Sequence, residues 1–229
     1  NGIPYAGKSS WTAAHLRWLA TLKMQHPAQQ IGFQEYLNGI TESTSRIARL
    51  EQAMRETLND WTLKPLVQAL HALRGVSLIA AMTLVAELQD FLRFEHPRKL
   101  MAYVGLVPGE YSTGAKKRQG SITKAGNSAA RRMLVEMAWH YQHPARVTPI
   151  IARRQDELPQ AVIDIAWAAQ LRLSAKFRRL QARRLMKTKA VVAVARELAG
   201  FVWAIGCEVQ TSGWQGLPVA TDAPQATAA

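Results

Sequence analysis

Leu73-Arg74-Gly75-Val76-Ser77-Leu78-Ile79-Ala80-Ala81 sets a glycine and a hydroxyl between two apolar runs. Glycine takes the positive φ that ends a helix, and serine is a good N-cap for the next one. Residues 66–94 therefore read as two helices, Leu66 to Leu73 and Leu78 to Leu88, joined by a tight turn. Working outward, Pro97 to Tyr103 reads as another helix with Gly105 as its stop. Leu106 to Thr123 turns loop-like, rich in Gly, Ser, Thr and Lys, with room for a short β-hairpin. Asn127 or Ser128 opens a helix to about Tyr141, ended by His143-Pro144. Gln160 to about Ile205 is strongly helical, basic first and apolar later.

Upstream, a short Trp-rich helix spans Trp11, Leu16, Trp18 and Leu22, and Pro27 closes it. Phe33, Leu37, Ile40, Ile47, Leu50, Met54, Leu58 and Trp61 then recur at three-, four- and seven-residue steps, which gathers them on one helical face. Charged residues flank that stripe, as either a bundle helix or a dimerising coiled coil requires. From Glu208 onward no period survives, and the tail reads as disordered. The fold class is mainly all-α. Its segments are a linker and short helix (1–27), a coiled-coil-like helix (28–65), a helix-hairpin-helix-like unit with a basic loop (66–150), basic C-terminal helices (151–207) and a tail (208–229).

Charge narrows the partners. Lys plus Arg outnumber Asp plus Glu by 29 to 16, a net charge of +13. The excess is gathered rather than spread. Arg98 to Arg132 holds eight basic residues against one acid, Glu110, and Arg172 to Lys189 holds eight more with none. Two such clusters point to nucleic acid rather than to a merely solvated surface. Arg178, Arg179, Arg183 and Arg184 belong to the second cluster, which suits DNA or RNA. A membrane partner is not expected, because Arg or Lys interrupts every apolar run and no broad apolar face accompanies the basic helix. The single cysteine, Cys207, allows no internal disulfide and suits a reducing cytoplasm. The six histidines show no ligand spacing, so no metal site is assigned. Trp139 and Tyr141 read more readily as core residues than as base-stacking rings.

Two elements carry candidate chemistry. The Gly75–Ser77 turn resembles a helix-hairpin-helix, in which backbone N–H groups at a helix N-terminus meet a DNA phosphate. Ser77 stands where that motif usually has a second glycine. The second element is the loop from Gly105 to Asn127. Ser112, Thr113 and Gly114 are followed there by Lys116, Lys117, Arg118, Thr123, Lys124 and Asn127, with Arg131 and Arg132 opening the next helix. As a binding loop its hydroxyls, N–H groups and cations hold phosphate. As a reaction site, Ser112 attacks a phosphodiester while the cations neutralise the developing charge. Both readings stand on the residues alone.

The run Leu73–Ala81, with Leu84-Val85-Ala86-Glu87-Leu88-Gln89-Asp90-Phe91, Pro97-Arg98-Lys99-Leu100-Met101-Ala102-Tyr103-Val104-Gly105-Leu106-Val107-Pro108, Tyr111-Ser112-Thr113-Gly114 and Gln119-Gly120-Ser121-Ile122-Thr123-Lys124-Ala125-Gly126-Asn127, resembles the C-terminal transposase domain of insertion-sequence family 110, its 1111 subgroup in particular. The resemblance is dense from Leu66 to about Val147. It implies DNA transposition through a serine nucleophile at Ser112 or Thr113, at a target chosen by a structured guide RNA. It also implies an N-terminal domain whose acids bind divalent metal. No acidic constellation precedes the long helix, so this chain is expected to be a C-terminal fragment, inactive alone, without a cofactor of its own. The implied partners are DNA, the guide RNA and a second copy of the chain through residues 33–61; the implied location is the bacterial cytoplasm, at the nucleoid. The rival from another class is a non-catalytic DNA- or RNA-binding and dimerisation module.

Overall fold

A computed structural model describes residues 2–110 and 119–216. The chain divides into two compact units, 1–54 and 55–229, with the boundary inside one helix.

In the first unit, helix α1 (Ala13–Thr21) is capped by Thr12, whose hydroxyl accepts from the His15 N–H. His15 is buried in a knot of rings, 4.6 Å from Tyr5 and stacked 5.6 Å from Trp18. Helix α2 (Pro27–Asp60) is one unbroken helix of 34 residues, about 50 Å long at 1.5 Å per residue. Pro27 opens this helix and does not close the previous one. α1 has already ended at Thr21, and proline at a first helical position gives up only an N–H that has no partner there. Gly32 and Gly39 do not break α2. Of its predicted seam, Phe33, Leu37 and Ile40 are half-buried, whereas Ile47 and Leu50 are 58% and 59% exposed.

The second unit is built around helix α9 (Lys187–Ser212). Its buried residues, including Val191, Val194, Ala195, Leu198, Val202, Ile205 and Val209, recur at helical spacing and form one broad apolar stripe. Against it pack helices α3 (Lys64–His71), α5 (Pro97–Tyr103), α6 (Ser128–Ala138) and α8 (Gln160–Ala182). Helix α4 (Leu78–Leu88) packs on α3 and α6, and a 3-10 turn (Trp139–Gln142) on α6 and α8. Two short strands, β1 (Pro108–Glu110) and β2 (Gln119–Ile122), pair antiparallel, Pro108 opposite Ile122 and Glu110 opposite Gln119, with an irregular register between. The fold is mainly all-α, as expected.

Three readings of the C-terminal third are corrected. Helix α7 (Pro149–Gln155) is a further element, capped by Thr148 and held by the buried Ile151 and Gln155. The basic-then-apolar segment is two helices, α8 and α9, turned back on each other at 183–186, where Arg184 takes φ +55°. Helix α9 also continues through Glu208 to Ser212, because Val209 is buried and the Gln210 Oε1 accepts from the Phe91 N–H at 2.9 Å. α9 is, moreover, long and apolar enough by composition to cross a bilayer, despite Arg196 and Glu197. Arg196 interrupts this run as expected, but the interruption does not take the helix below spanning length and apolarity. In this fold its apolar stripe is the core.

Gly126 ties the hairpin to the helices. It sits at φ +70°, and a Cβ there would lie 1.9 Å from the Tyr103 carbonyl oxygen. The left-handed backbone costs an ordinary residue about 1–2 kcal/mol before any clash. Gly126→Ala should therefore destabilise the chain by more than about 2 kcal/mol and lower Tm by roughly 4–8 °C, measured by thermal melts at 222 nm.

Candidate nucleic-acid interface

The α3–α4 turn forms as the sequence predicts. Gly75 takes φ +79°, and a Cβ would come within 2.7 Å of the Met137 carbonyl and 2.8 Å of the His140 side chain. Only glycine lets the turn lie this close to the end of α6. Ser77, extended at φ −78° and ψ 164°, caps α4 by accepting the Ala80 N–H at 3.2 Å. Ser77 is exposed, and helix geometry leaves the N–H groups of Leu78 and Ile79 without carbonyl partners inside α4. The turn thus shows outward the feature that attracts anions.

The basic loop springs from a clamped stem. The Val107 and Gly105 carbonyls accept from the N–H groups of Thr123 and Lys124, and the Tyr103 carbonyl from that of Asn127. Asn127 caps α6 through Oδ1, accepting the Ala130 N–H at 2.8 Å, and its Nδ2 donates to Glu87 Oε2 at 2.6 Å. Arg131, expected to meet phosphate, donates Nη1 to the carbonyls of Val104 (3.0 Å) and Ala125 (2.9 Å). It works first as a bolt across the stem. Thr123, Lys124 and Arg132 are exposed around it. Ser112, Thr113, Gly114, Lys116, Lys117 and Arg118 lie outside the described residues.

The second basic cluster divides into two. Arg172 and Lys176 both reach Glu197 on the neighbouring helix α9, at 3.0 Å and 2.7 Å. Burial alone would raise the Glu197 pKa, but the hydrogen bonds from Lys176 and Arg172 outweigh it and hold the carboxyl below the usual range. Arg178, Arg179, Arg183, Arg184, Lys187 and Lys189 instead stand exposed at the α8–α9 turn. Tyr141 is fully buried, so it stacks on no base. Among the described residues no group of three or more His, Cys, Asp or Glu is placed to hold a metal ion.

A sequence profile described as "Transposase IS116/IS110/IS902 family" matches residues 67–149. Residues 67–149 are thus a segment of the IS116/IS110/IS902 transposase family. The chain is 47% identical over 210 residues to y4qE of Sinorhizobium fredii, a protein bearing a transposase name, covering 92% of this chain and 50% of y4qE. It is 27% identical over 175 residues to the transposase for insertion sequence element IS1533 of Leptospira borgpetersenii, covering 76% of this chain and 51% of that protein. It is 34% identical over 71 residues to the transposase for IS1111A of Coxiella burnetii, covering 31% of this chain and 20% of that one. The chain thus spans about half the length of the first two.

The transposase-family segment takes in the α3–α4 turn, the clamped stem and α6, and ends where α7 begins. The basic α8–α9 turn lies beyond it. Sequence reasoning missed Glu87, which orients Asn127, and missed the arginines Arg74 and Arg154 beside the turn. Glu87 stands in a helical repeat that reads as ordinary amphipathic sequence. Arg74 and Arg154 are 80 positions apart, and no local spacing links them.

Burial, reinforced by the nearby Arg154 guanidinium, pushes the His71 imidazole down to about 4. The folded chain then binds fewer protons than the unfolded one between the usual histidine pKa of about 6.5 and about 4. Stability should be intact above pH ~6.5 and fall as pH drops toward 4, by on the order of 2 kcal/mol. Urea unfolding across that range should show the loss in the unaltered chain and a shallower slope in His71→Gln.

Proposed function

We propose that the chain acts in DNA transposition as the DNA-gripping half of a transposase, with a serine nucleophile in the loop between β1 and β2. The observation that carries this reading is the family match across residues 67–149, which contains that loop and its stem. The physical support is the stem. Five contacts fix its two arms, so the residues that flank the loop form a rigid base.

In this reading Ser112 Oγ attacks the phosphorus of a DNA phosphodiester. A Ser–O–P bond forms as one P–O bond to deoxyribose breaks. The serine proton passes to solvent water, and the departing strand oxygen takes up a proton from solvent. Lys116, Lys117, Arg118 and Lys124 offset the charge on the phosphorane oxygens. Thr113, beside it, is the competing nucleophile. Gly75, Ser77, Gly114, Thr123 and Arg132 hold the strand while Asn127 and Arg131 brace the stem behind them, and the four arginines of the α8–α9 turn extend the grip to DNA or to a guide RNA. The resemblance also implies a divalent metal. The described residues supply no ligand cluster fit for it, so no step is drawn through a metal here.

The exposed Ile47 and Leu50 on α2 support pairing with a second copy through residues 33–61, by burying a stripe that this chain leaves in water.

Assayed joined to the N-terminal domain that the family resemblance implies, the protein should form a covalent adduct with labelled element-end DNA. Ser112→Ala should abolish the adduct and Thr113→Ala should retain it. An adduct unchanged in Ser112→Ala removes Ser112 as nucleophile. Retained DNA binding with no adduct in any form leaves a binding module. In the chain itself, neutralising Lys116, Lys117 and Arg118 together should weaken duplex binding and flatten its salt dependence by about 0.9 log units per lost phosphate contact.

A further inference from the structure

A cavity of about 300 Å³ opens beside the α3–α4 turn, lined by Arg74, Ser77, His140, Thr148 and Arg154 with the Gly75–Val76 backbone. Its charged walls come from three places: the turn, the 3-10 segment after α6, and α7. Among the described residues, neither Arg74 nor Arg154 stands within ion-pair distance of a carboxylate. Each guanidinium is instead pinned by one nitrogen. Arg74 Nη1 donates to the Pro144 carbonyl at 2.6 Å, and Arg154 Nη1 to the Val76 carbonyl at 3.1 Å. An arginine carries five N–H donors in a planar fork, so most donors of both remain for another partner. The pins also fix the forks, which removes much of the entropy cost of closing them on a ligand.

The rest of the wall agrees in sign. The Ser77 and Thr148 hydroxyls each accept a backbone N–H, from Ala80 and Ile151, which leaves their own hydrogens to donate. The causes that lower the His140 pKa are partial burial first, then Arg74, His143 and Arg154. Burial likewise pulls the Arg154 guanidinium below its usual value. Two half-buried cations without an anion are costly, and a ligand bearing negative charge removes that cost. The volume equals on the order of ten waters, enough for a phosphate and its ester oxygens. Planar, paired donors select phosphate over a simple halide.

We propose that the Arg74–His140–Arg154 cavity is a phosphate site that holds a backbone phosphodiester of bound DNA, Arg154 giving the bidentate contact. This rests on the DNA-binding reading and adds a second anchor outside the basic loop, partly on α7 beyond the family segment.

The test uses the whole chain with a labelled DNA duplex through a KCl series, and separately with inorganic phosphate followed by the His140 ring signals in NMR. Arg154→Gln removes the contact. Arg153→Gln, on the same helix, exposed and outside the cavity, removes the same charge one residue away. Arg154→Lys keeps the charge but not the fork, and serves if the glutamine variant melts early. The expected result is a salt slope flattened by about 0.9 in Arg154→Gln, unchanged in Arg153→Gln, with weaker binding and an unchanged slope in Arg154→Lys. Phosphate should shift the His140 signals in the unaltered chain and not in Arg154→Gln. Equal flattening in both glutamine variants means diffuse charge and overturns the site. An unaltered DNA slope with a lost phosphate response assigns the cavity to a free phosphate or small phosphorylated ligand and overturns the strand contact. An unaltered chain that binds no duplex overturns the DNA reading itself, and the phosphate titration then decides the cavity alone.

Discussion

The buried stripe along α9 is the surface on which the second unit is assembled. Ten residues of one helix lose their water to four others, and a fully buried aliphatic side chain contributes about 1.5–3 kcal/mol. The family segment supplies α3 to α6, yet the heaviest packing partner of α3, α5 and α6 alike is α9, which begins at residue 187, outside that segment. The α3–α4 turn and the loop stem are therefore held in place, through α3, α5 and α6, by a helix from outside the family segment. Gly206 makes this concrete: it lies against the Phe91 ring, where a Cβ would come within 2.3 Å.

Around that core, polar groups act mostly as fasteners. Arg131, Asn127 and the carbonyls of Tyr103, Val104, Gly105 and Ala125 spend their hydrogen-bonding capacity on one another at the foot of the hairpin. Buried backbone groups must be paired, and a loop leaving a helical bundle has no ladder to pair them. The side chains of α6 complete the set. A cation near a reactive loop is thus not automatically a ligand contact: Arg131 is structural while Arg132, one step along, faces solvent.

The helices of the middle segment were legible because each boundary has a local cause. Gly75 and Ser77 frame a turn, Pro97 starts α5, and Asn127 caps α6. Legibility failed where the cause is distant. Helix α7 is short and held by Ile151 and Gln155 against residues far away in sequence, the latter through the Ala72 carbonyl. The persistence of α9 past Glu208 depends on Val209 finding the core and on Gln210 finding Phe91. The α8–α9 reversal falls in a run of Arg, Leu, Met and Lys with no glycine or proline to announce it. For the candidate site, the sequence shows where cations cluster, but which of them are already engaged was hidden. Glu197 binds both Arg172 and Lys176, offsetting one of their two charges, from 25 and 21 positions downstream.

That engagement shapes the field of the α8–α9 hairpin. Glu197 offsets part of the charge in the middle of the hairpin, and the densest exposed positive charge is at one tip, in Arg178, Arg179, Arg183, Arg184, Lys187 and Lys189. At physiological ionic strength the potential decays over about 8 Å, so an approaching polyanion senses the tip more strongly than the shaft. The hairpin then exerts a torque as well as an attraction, turning end-on toward the strand before any contact is made.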